Sequence, residues 1–194
     1  MKIVPVETRR QLKQFIRLPW SIYRNDPAWV PPLIAERKEI LNRSKNPFFE
    51  HAEARYFLAE RDGEVVGRIS AHIDRLHNQT HHEQTGFFGF FESIDDPQVA
   101  ESLFNQAADW LKGRGMKKIR GPFSFSINEE TGLLVKGFEH PPFILMAHNP
   151  PYYQALLESW GLKKVKDLYC WKYDSKRPVP EGPVQVAQEV RKYP

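Results

Sequence analysis

The spacing of apolar positions changes several times along the chain, and each change predicts a boundary between elements. Residues 2–7 alternate weakly and contain Pro5, the pattern of an edge strand. From Thr8, a residue able to cap a helix, Leu12, Phe15 and Ile16 follow at helical spacing, and Pro19 bends or ends the helix they define. The Pro-punctuated turn NDPAWVPP leads into LIAERKEILN, a second helix starting near Pro32 with Leu33, Ile34, Ile40 and Leu41 on one face. RYFLAERDGEVVGRISAHID reads as two strands joined at Asp62-Gly63, a strong hairpin signal, and RLHNQTHHEQ as a polar loop. TGFFGFFES, residues 85–93, is too apolar to alternate, so a central strand covered on both faces is expected.

The best-defined helix is PQVAESLFNQAADWLKGRG. Asp96 is its expected N-cap, Pro97 stands at the first helical position, and Gly113 or Gly115 ends it. KKIRGPFSFS follows as a strand, and a long irregular stretch then runs to Asn149. PPYYQALLESWG is a short helix closed by Gly161, and KKVKDLYCWKYD a final strand. Strands alternating with helices predict an α/β layered fold, the hairpin adding antiparallel pairing. Residues 64–74, 85–93 and 117–125 are expected as neighbours in one sheet. The 97–113 helix should cross it on Val99, Leu103, Phe104, Ala107 and Leu111. Residues 1–174 are expected to form the domain, and the Pro-rich 175–194 a tail or a linker towards a missing second half.

Composition narrows the partners. The 194 residues are 41% hydrophobic and 27% charged, the balance of an ordinary globular chain. No apolar run approaches the ~20 residues of a membrane span, so no membrane partner is expected. MKIVPVETRRQLK lacks the apolar core of a signal peptide, and Cys170 is the single cysteine. A cytoplasmic location without an intrachain disulfide is the resulting expectation. The net charge of +4 is scattered rather than striped, which argues against nucleic acid. His77, His81, His82 and Glu83 match no metal-site spacing, and Cys170 in LYCWKY reads as buried packing rather than a nucleophile.

This element order, with an aromatic central strand feeding a capped helix, resembles the GCN5-related N-acetyltransferase (GNAT) superfamily over about residues 1–173. The runs LPWSIYRNDPAWVPPL, NPFFEHAEARYFLAERDGEVVGRI, GFFGFFE and NPPYYQALLESWGL resemble a bacterial group of acetyltransferase-like proteins without a settled substrate, whose members are longer than this chain. The resemblance implies a central mixed, mostly antiparallel sheet flanked by helices. It implies a gap where the strand at 87–93 splays from that at 118–125, with the pantetheine arm of acetyl-CoA or another acyl-CoA, as substrate, in the gap. The pyrophosphate would rest on the helix starting near Pro97. Phe90, Phe91, Ser93, Gln98, Val99, Ala100 and Asn149 are thereby implied at the coenzyme, without a metal. Two positions depart from the pattern. Asp95, Asp96 and Pro97 replace a glycine-rich phosphate loop, and Leu157 stands where the family often has an acidic tyrosine, leaving Tyr153 to reach the sulfur if the helix is shifted.

Three residues are candidates for the chemistry. Glu92 ends the central strand, where it is either a base towards an amine or a solvated strand-end carboxylate. Glu129, beside Glu130 in a long insertion, either binds or deprotonates an amine or simply caps a turn with Asn128. Tyr153 is the candidate acid. Trp20, Tyr23, Trp29, Phe48 and Phe49 either line an acceptor pocket or form a satellite core. The function expected is acyl-CoA-dependent N-acylation, in particular N-acetylation, of a small-molecule amine, with a homodimer compatible. The alternative is a non-catalytic module of the same fold that binds another small ligand or a protein partner.

Overall fold

The computed structural model describes residues 1–171, 174, 176, 178 and 180–192. The chain divides into two compact units, Met1–Lys163 and Lys164–Pro194. In the first, five strands form one sheet in sequence order: β1 (Lys2–Pro5), β2 (Ala52–Arg61), β3 (Glu64–Asp74), β4 (Thr85–Ser93) and β5 (Lys118–Arg120). The first four pair antiparallel, and β4 pairs parallel with β5. Asp62 and Gly63 both have positive φ, 53° and 85°, the backbone of the tight turn whose twist suits a two-strand hairpin.

Apolar residues on the two sides of this sheet form two cores. On one side α5 (Pro97–Lys112) lays Val99, Ala100, Leu103, Phe104, Ala107 and Leu111 across β2, β3 and β4, all buried. Asp96 caps it, its carboxylate accepting from the Gln98 N–H at 2.8 Å. The short α6 (Tyr153–Ser159) adds Tyr153, Leu156 and Leu157 to the same cluster. The opposite core collects Phe15 and Ile16 from α1 (Arg9–Arg17), Leu41 from the end of α3 (Ile34–Ile40), and Phe48, Tyr56, Phe90 and Phe125. Between those helices Pro19 ends α1 and starts the single turn α2 (Pro19–Ile22), as its missing N–H dictates.

β4 is buried at all nine positions, as expected of a strand covered on both faces. Its central Gly89 allows the Phe123 backbone to pass close by, because a Cβ at 89 would collide with the Phe123 carbonyl oxygen. Gly89→Ala should therefore cost about 2–3 kcal/mol or more, as overpacking of a rigid interior does. Urea titration measures this, and an unchanged midpoint would show that the backbone can yield.

Four expectations need correction. The stretch after Asp74 is a helix, α4 (Arg75–His81), because the Asp74 carboxylate caps the His77 N–H at 3.1 Å. β5 stops at Arg120, before Pro122, which brings no ladder donor. No strand forms over 163–171 among the described residues, and Val165, Tyr169 and Trp171 are exposed, as is Cys170. Without a partner ladder, alternation alone does not make a strand. The expected tail carries α7 (Glu181–Val190).

Candidate active site

An irregularity in β4 creates the site. Arg68 of β3 faces Glu92, and Ser70 faces Gly89, so one extra residue of β4 is accommodated between them. Phe90 takes φ 47° there, a conformation rare for a non-glycine residue. Such a bulge re-aims the side chains beyond it. On the other edge, pairing with β5 ends at Phe87 and Arg120, followed by one more bond, Phe123 N–H to Phe88 O at 2.8 Å. The ladder between the two strands ends there.

Glu92 lies further along β4, past the end of the β5 ladder, and helices from both faces reach it. Tyr23, at the end of α2, donates its hydroxyl to Glu92 Oε2 at 2.7 Å. Tyr153, from α6, donates to the same oxygen at 2.8 Å. Arg68 holds Oε1 at 3.3 Å and donates to the Phe15 carbonyl at 2.6 Å, its guanidinium lying 4.9 Å from the Phe15 ring centre. The carboxylate is buried, which raises its pKa, while Arg68 and the two phenols pull the other way. Burial and the Glu92 charge hold Tyr23 and Tyr153 well above the ordinary phenol value, so both remain donors. One carboxylate oxygen between two phenols is a place where a proton can enter from one side and leave by the other.

The tyrosines also occupy the end of the strand. Ser93 N–H donates to Tyr153 Oη at 2.8 Å, and Tyr152 Oη donates to the Ser93 carbonyl at 2.8 Å. Beside them, Tyr23 stacks on Trp29 at 5.1 Å, and Trp29 meets Trp20 edge-on. Phe48 stacks instead on Phe125, in the core. The N-terminal aromatics therefore split, Trp29 and Trp20 following on from Tyr23, which bonds Glu92, while Phe48 and Phe49 pack with the core.

The other candidates fall in different surroundings. Glu129 accepts from the Ser126 N–H at 3.1 Å and closes a turn, burial raising its pKa. Glu130 pairs with Arg37. Asn149 is committed to the loop backbone, accepting from the Leu134 N–H at 2.7 Å and donating to its carbonyl at 3.1 Å. Phe90 and Phe91 are buried on opposite sides of the sheet, and Val99 and Ala100 are buried on the core face of α5. Gln98 gives its N–H to Asp96, whose carboxylate also pairs with Arg61 at 2.8 Å. Arg61 offsets part of the negative charge at this turn, and its hydrogen bond holds Asp96 below the usual carboxylate range. Leu157 is buried in the α5 core, without chemistry.

Arg68 and Tyr23 as partners of Glu92, and Asp26 with His148 beside them, are what the sequence reading missed. An arginine inside the strand VVGRISAHID, among buried neighbours, was the available signal. His148 Nε2 lies 2.7 Å from Asp26 Oδ2, and the His148 carbonyl accepts from Tyr23 at 3.2 Å. Among the described residues no group of three metal-binding side chains assembles, and no helix is long and apolar enough to cross a membrane.

A five-stranded, mostly antiparallel sheet in this order, crossed by α5, is shared with solved acetyltransferases and defines the class: the chain has the GNAT fold. AAC(6')-Iy, solved in complex with the bisubstrate analogue CoA-S-monomethyl-acetylneamine, superimposes with a TM-score of 0.51 at 11% identity, covering 89% of this chain and 97% of that one. Sequence similarity is far higher to a bacterial ceramide synthase of Caulobacter vibrioides, 47% identical over 182 residues, which are 93% of this chain and 47% of that protein. Protein YghO of Escherichia coli is also 47% identical, over 163 residues, 84% of this chain and 42% of YghO. The chain thus spans a little under half the length of these relatives. No model of a known protein family matches it.

Proposed function

We propose that this protein is an acyl-CoA-dependent N-acyltransferase in which Glu92 shuttles the proton. The observation that carries this reading is the single oxygen, Glu92 Oε2, near the end of β4, accepting Tyr23 at 2.7 Å and Tyr153 at 2.8 Å. A neutral amine attacks the thioester carbonyl and becomes acidic as its C–N bond forms. Its proton passes to Tyr23 Oη while the Tyr23 proton moves to Glu92. As the C–S bond breaks, Tyr153 protonates the leaving thiolate and recovers its own proton from Glu92. The amide and the free thiol leave, and no net proton is exchanged. A raised Glu92 pKa suits this, since a shuttle must both take and return the proton.

The ceramide synthase similarity supports this chemistry and refines the acceptor. Ceramide is the amide of a long-chain amino alcohol, so a protein of that name makes an N-acyl bond. We infer a long-chain amino alcohol as acceptor and an acyl-CoA as donor, with Trp20, Tyr23 and Trp29 as the apolar wall beside the amine.

A second reading, a non-catalytic module, draws on Tyr152 and Tyr153. They hold the Ser93 N–H and carbonyl that a pantetheine arm would otherwise use. On the catalytic reading these hydroxyls yield to the amide groups of the arm. Calorimetry with coenzyme A separates the two. The enzyme should bind it, and Tyr152→Phe, which frees the Ser93 carbonyl, should tighten binding several-fold. No heat with either protein would favour the module.

A further inference from the structure

His148 is an unexplained group beside the shuttle. Its side chain is only 6% exposed and its Nε2 lies 2.7 Å from Asp26 Oδ2. Its Nδ1 is buried without a hydrogen-bond partner among the described residues. An unpaired buried nitrogen costs about 1–3 kcal/mol, so a position that keeps one invites a functional explanation. Asp26 is itself fixed, Oδ1 accepting from the Ala28 N–H at 2.9 Å. Burial pulls its pKa up, but the bonds from His148 and Ala28 outweigh this and leave it lowered, hence ionised. In the neutral ring an ionised Asp26 on Nε2 places the proton there and leaves the lone pair on Nδ1.

The dyad adjoins the reacting centre. The Tyr23 ring centre is 5.5 Å from that of His148, and the one Tyr23 hydroxyl faces both the His148 carbonyl and Glu92. Three groups therefore face the imidazole: Asp26 from the turn after α2, Tyr23, and Glu92 through Tyr23. Glu92 has its Oε2 filled by two phenols and its Oε1 engaged by Arg68, whereas the enclosed His148 Nδ1 has no partner among the described residues.

An aliphatic amine reaches any protein near neutral pH as an ammonium ion, which has no lone pair to attack a thioester. The shuttle moves a proton from nitrogen to sulfur, but it cannot also remove this earlier one. We propose that the Asp26–His148 dyad is a second, separate proton acceptor, which converts the incoming ammonium to the free amine before acyl transfer. The N–H bond of the ammonium breaks towards His148 Nδ1, and the lone pair stays on the substrate nitrogen. The resulting imidazolium rests on the Asp26 carboxylate, which is 29% exposed on its side chain and gives the proton a route to water. This deepens the N-acyltransferase reading and rests on it.

The test compares two acceptors across pH. One is an aliphatic long-chain amino alcohol, protonated at pH 7. The other is the same skeleton fluorinated beside the amine, which is largely neutral at that pH. His148→Gln and Asp26→Asn should lower kcat/KM for the aliphatic acceptor at least tenfold at pH 7. The loss should disappear towards pH 10, where that amine is free, and should be under threefold for the fluorinated acceptor at any pH. Equal loss with both acceptors, independent of pH, would assign the pair a purely structural role and overturn the proposal, and so would full activity in both variants. If one variant fails to fold, the other carries the same comparison. Absence of transfer by the unaltered protein would instead reject the N-acyltransferase reading itself.

Discussion

Glu92→Gln should lower kcat by about two orders of magnitude or more, with a much smaller change in KM. Removing a general acid–base group typically costs 10²–10⁴-fold. The amide oxygen of Gln still accepts hydrogen bonds from Tyr23 and Tyr153, so the site keeps its shape, but an amide cannot take a proton. A loss confined to kcat is what removal of a group acting only in the transition state produces. Glu129→Gln is the control, because Glu129 closes a turn through the Ser126 N–H, and it should change kcat less than threefold. Steady-state thiol release on folded protein measures both. A Glu92 variant within tenfold of the original, or a larger loss at Glu129, would move the proton chemistry elsewhere.

Arg68→Met is expected to have the largest effect on stability. Arg68 and Glu92 are both nearly enclosed, their side chains 8% and 12% exposed, and Arg68 is the cation in contact with the carboxylate. Removing one partner of a buried pair typically costs about 3–5 kcal/mol, because the other charge is left without compensation. The pH dependence follows from the direction of the Glu92 shift. Burial already raises its folded pKa above the unfolded value of about 4.3, and loss of the guanidinium raises it further. A group raised on folding contributes its full stability below the unfolded pKa and loses it as pH rises through the folded pKa. The gap in stability between Arg68→Met and the original protein should therefore be small near pH 4.5 and widen up to pH 8. Denaturant melts at four pH values check this, and a gap that stays constant would show that the cost is packing against Phe15 rather than charge.

The sheet, the hairpin and α5 were legible because their signals are local. Asp62-Gly63 specifies its turn within two residues, and Val99, Leu103, Phe104, Ala107 and Leu111 specify a face within four turns. α4 was missed because RLHNQTH offers no apolar period, and only the Asp74 cap marks its start. The strand read at LYCWKY has the right alternation, yet pairing is a property of two segments and no partner is present among the described residues.

The site was half legible for the same reason. Glu92 stood out at the end of an aromatic strand, and Tyr153 on a helix of the expected place. Nothing local links either to Tyr23, 69 residues before Glu92, or to Arg68, 24 residues before it. The bulge that aligns them is placed on Phe90 rather than a glycine, so its φ of 47° carries no sequence signature. The acidic turn, which departs from a glycine-rich phosphate loop, is partly neutralised by Arg61 on Asp96, a pairing 35 residues apart that no local signal carries.

The measurement that tests this account most directly is acyl transfer by the purified protein. It would be supplied with a long-chain acyl-CoA and a long-chain amino alcohol, with free thiol and the mass of the product followed together. The account predicts one thiol released per N-acyl product formed, and loss of both signals together in Glu92→Gln. Thiol release without amide, or no turnover across a broad panel of amines and acyl donors, would contradict it.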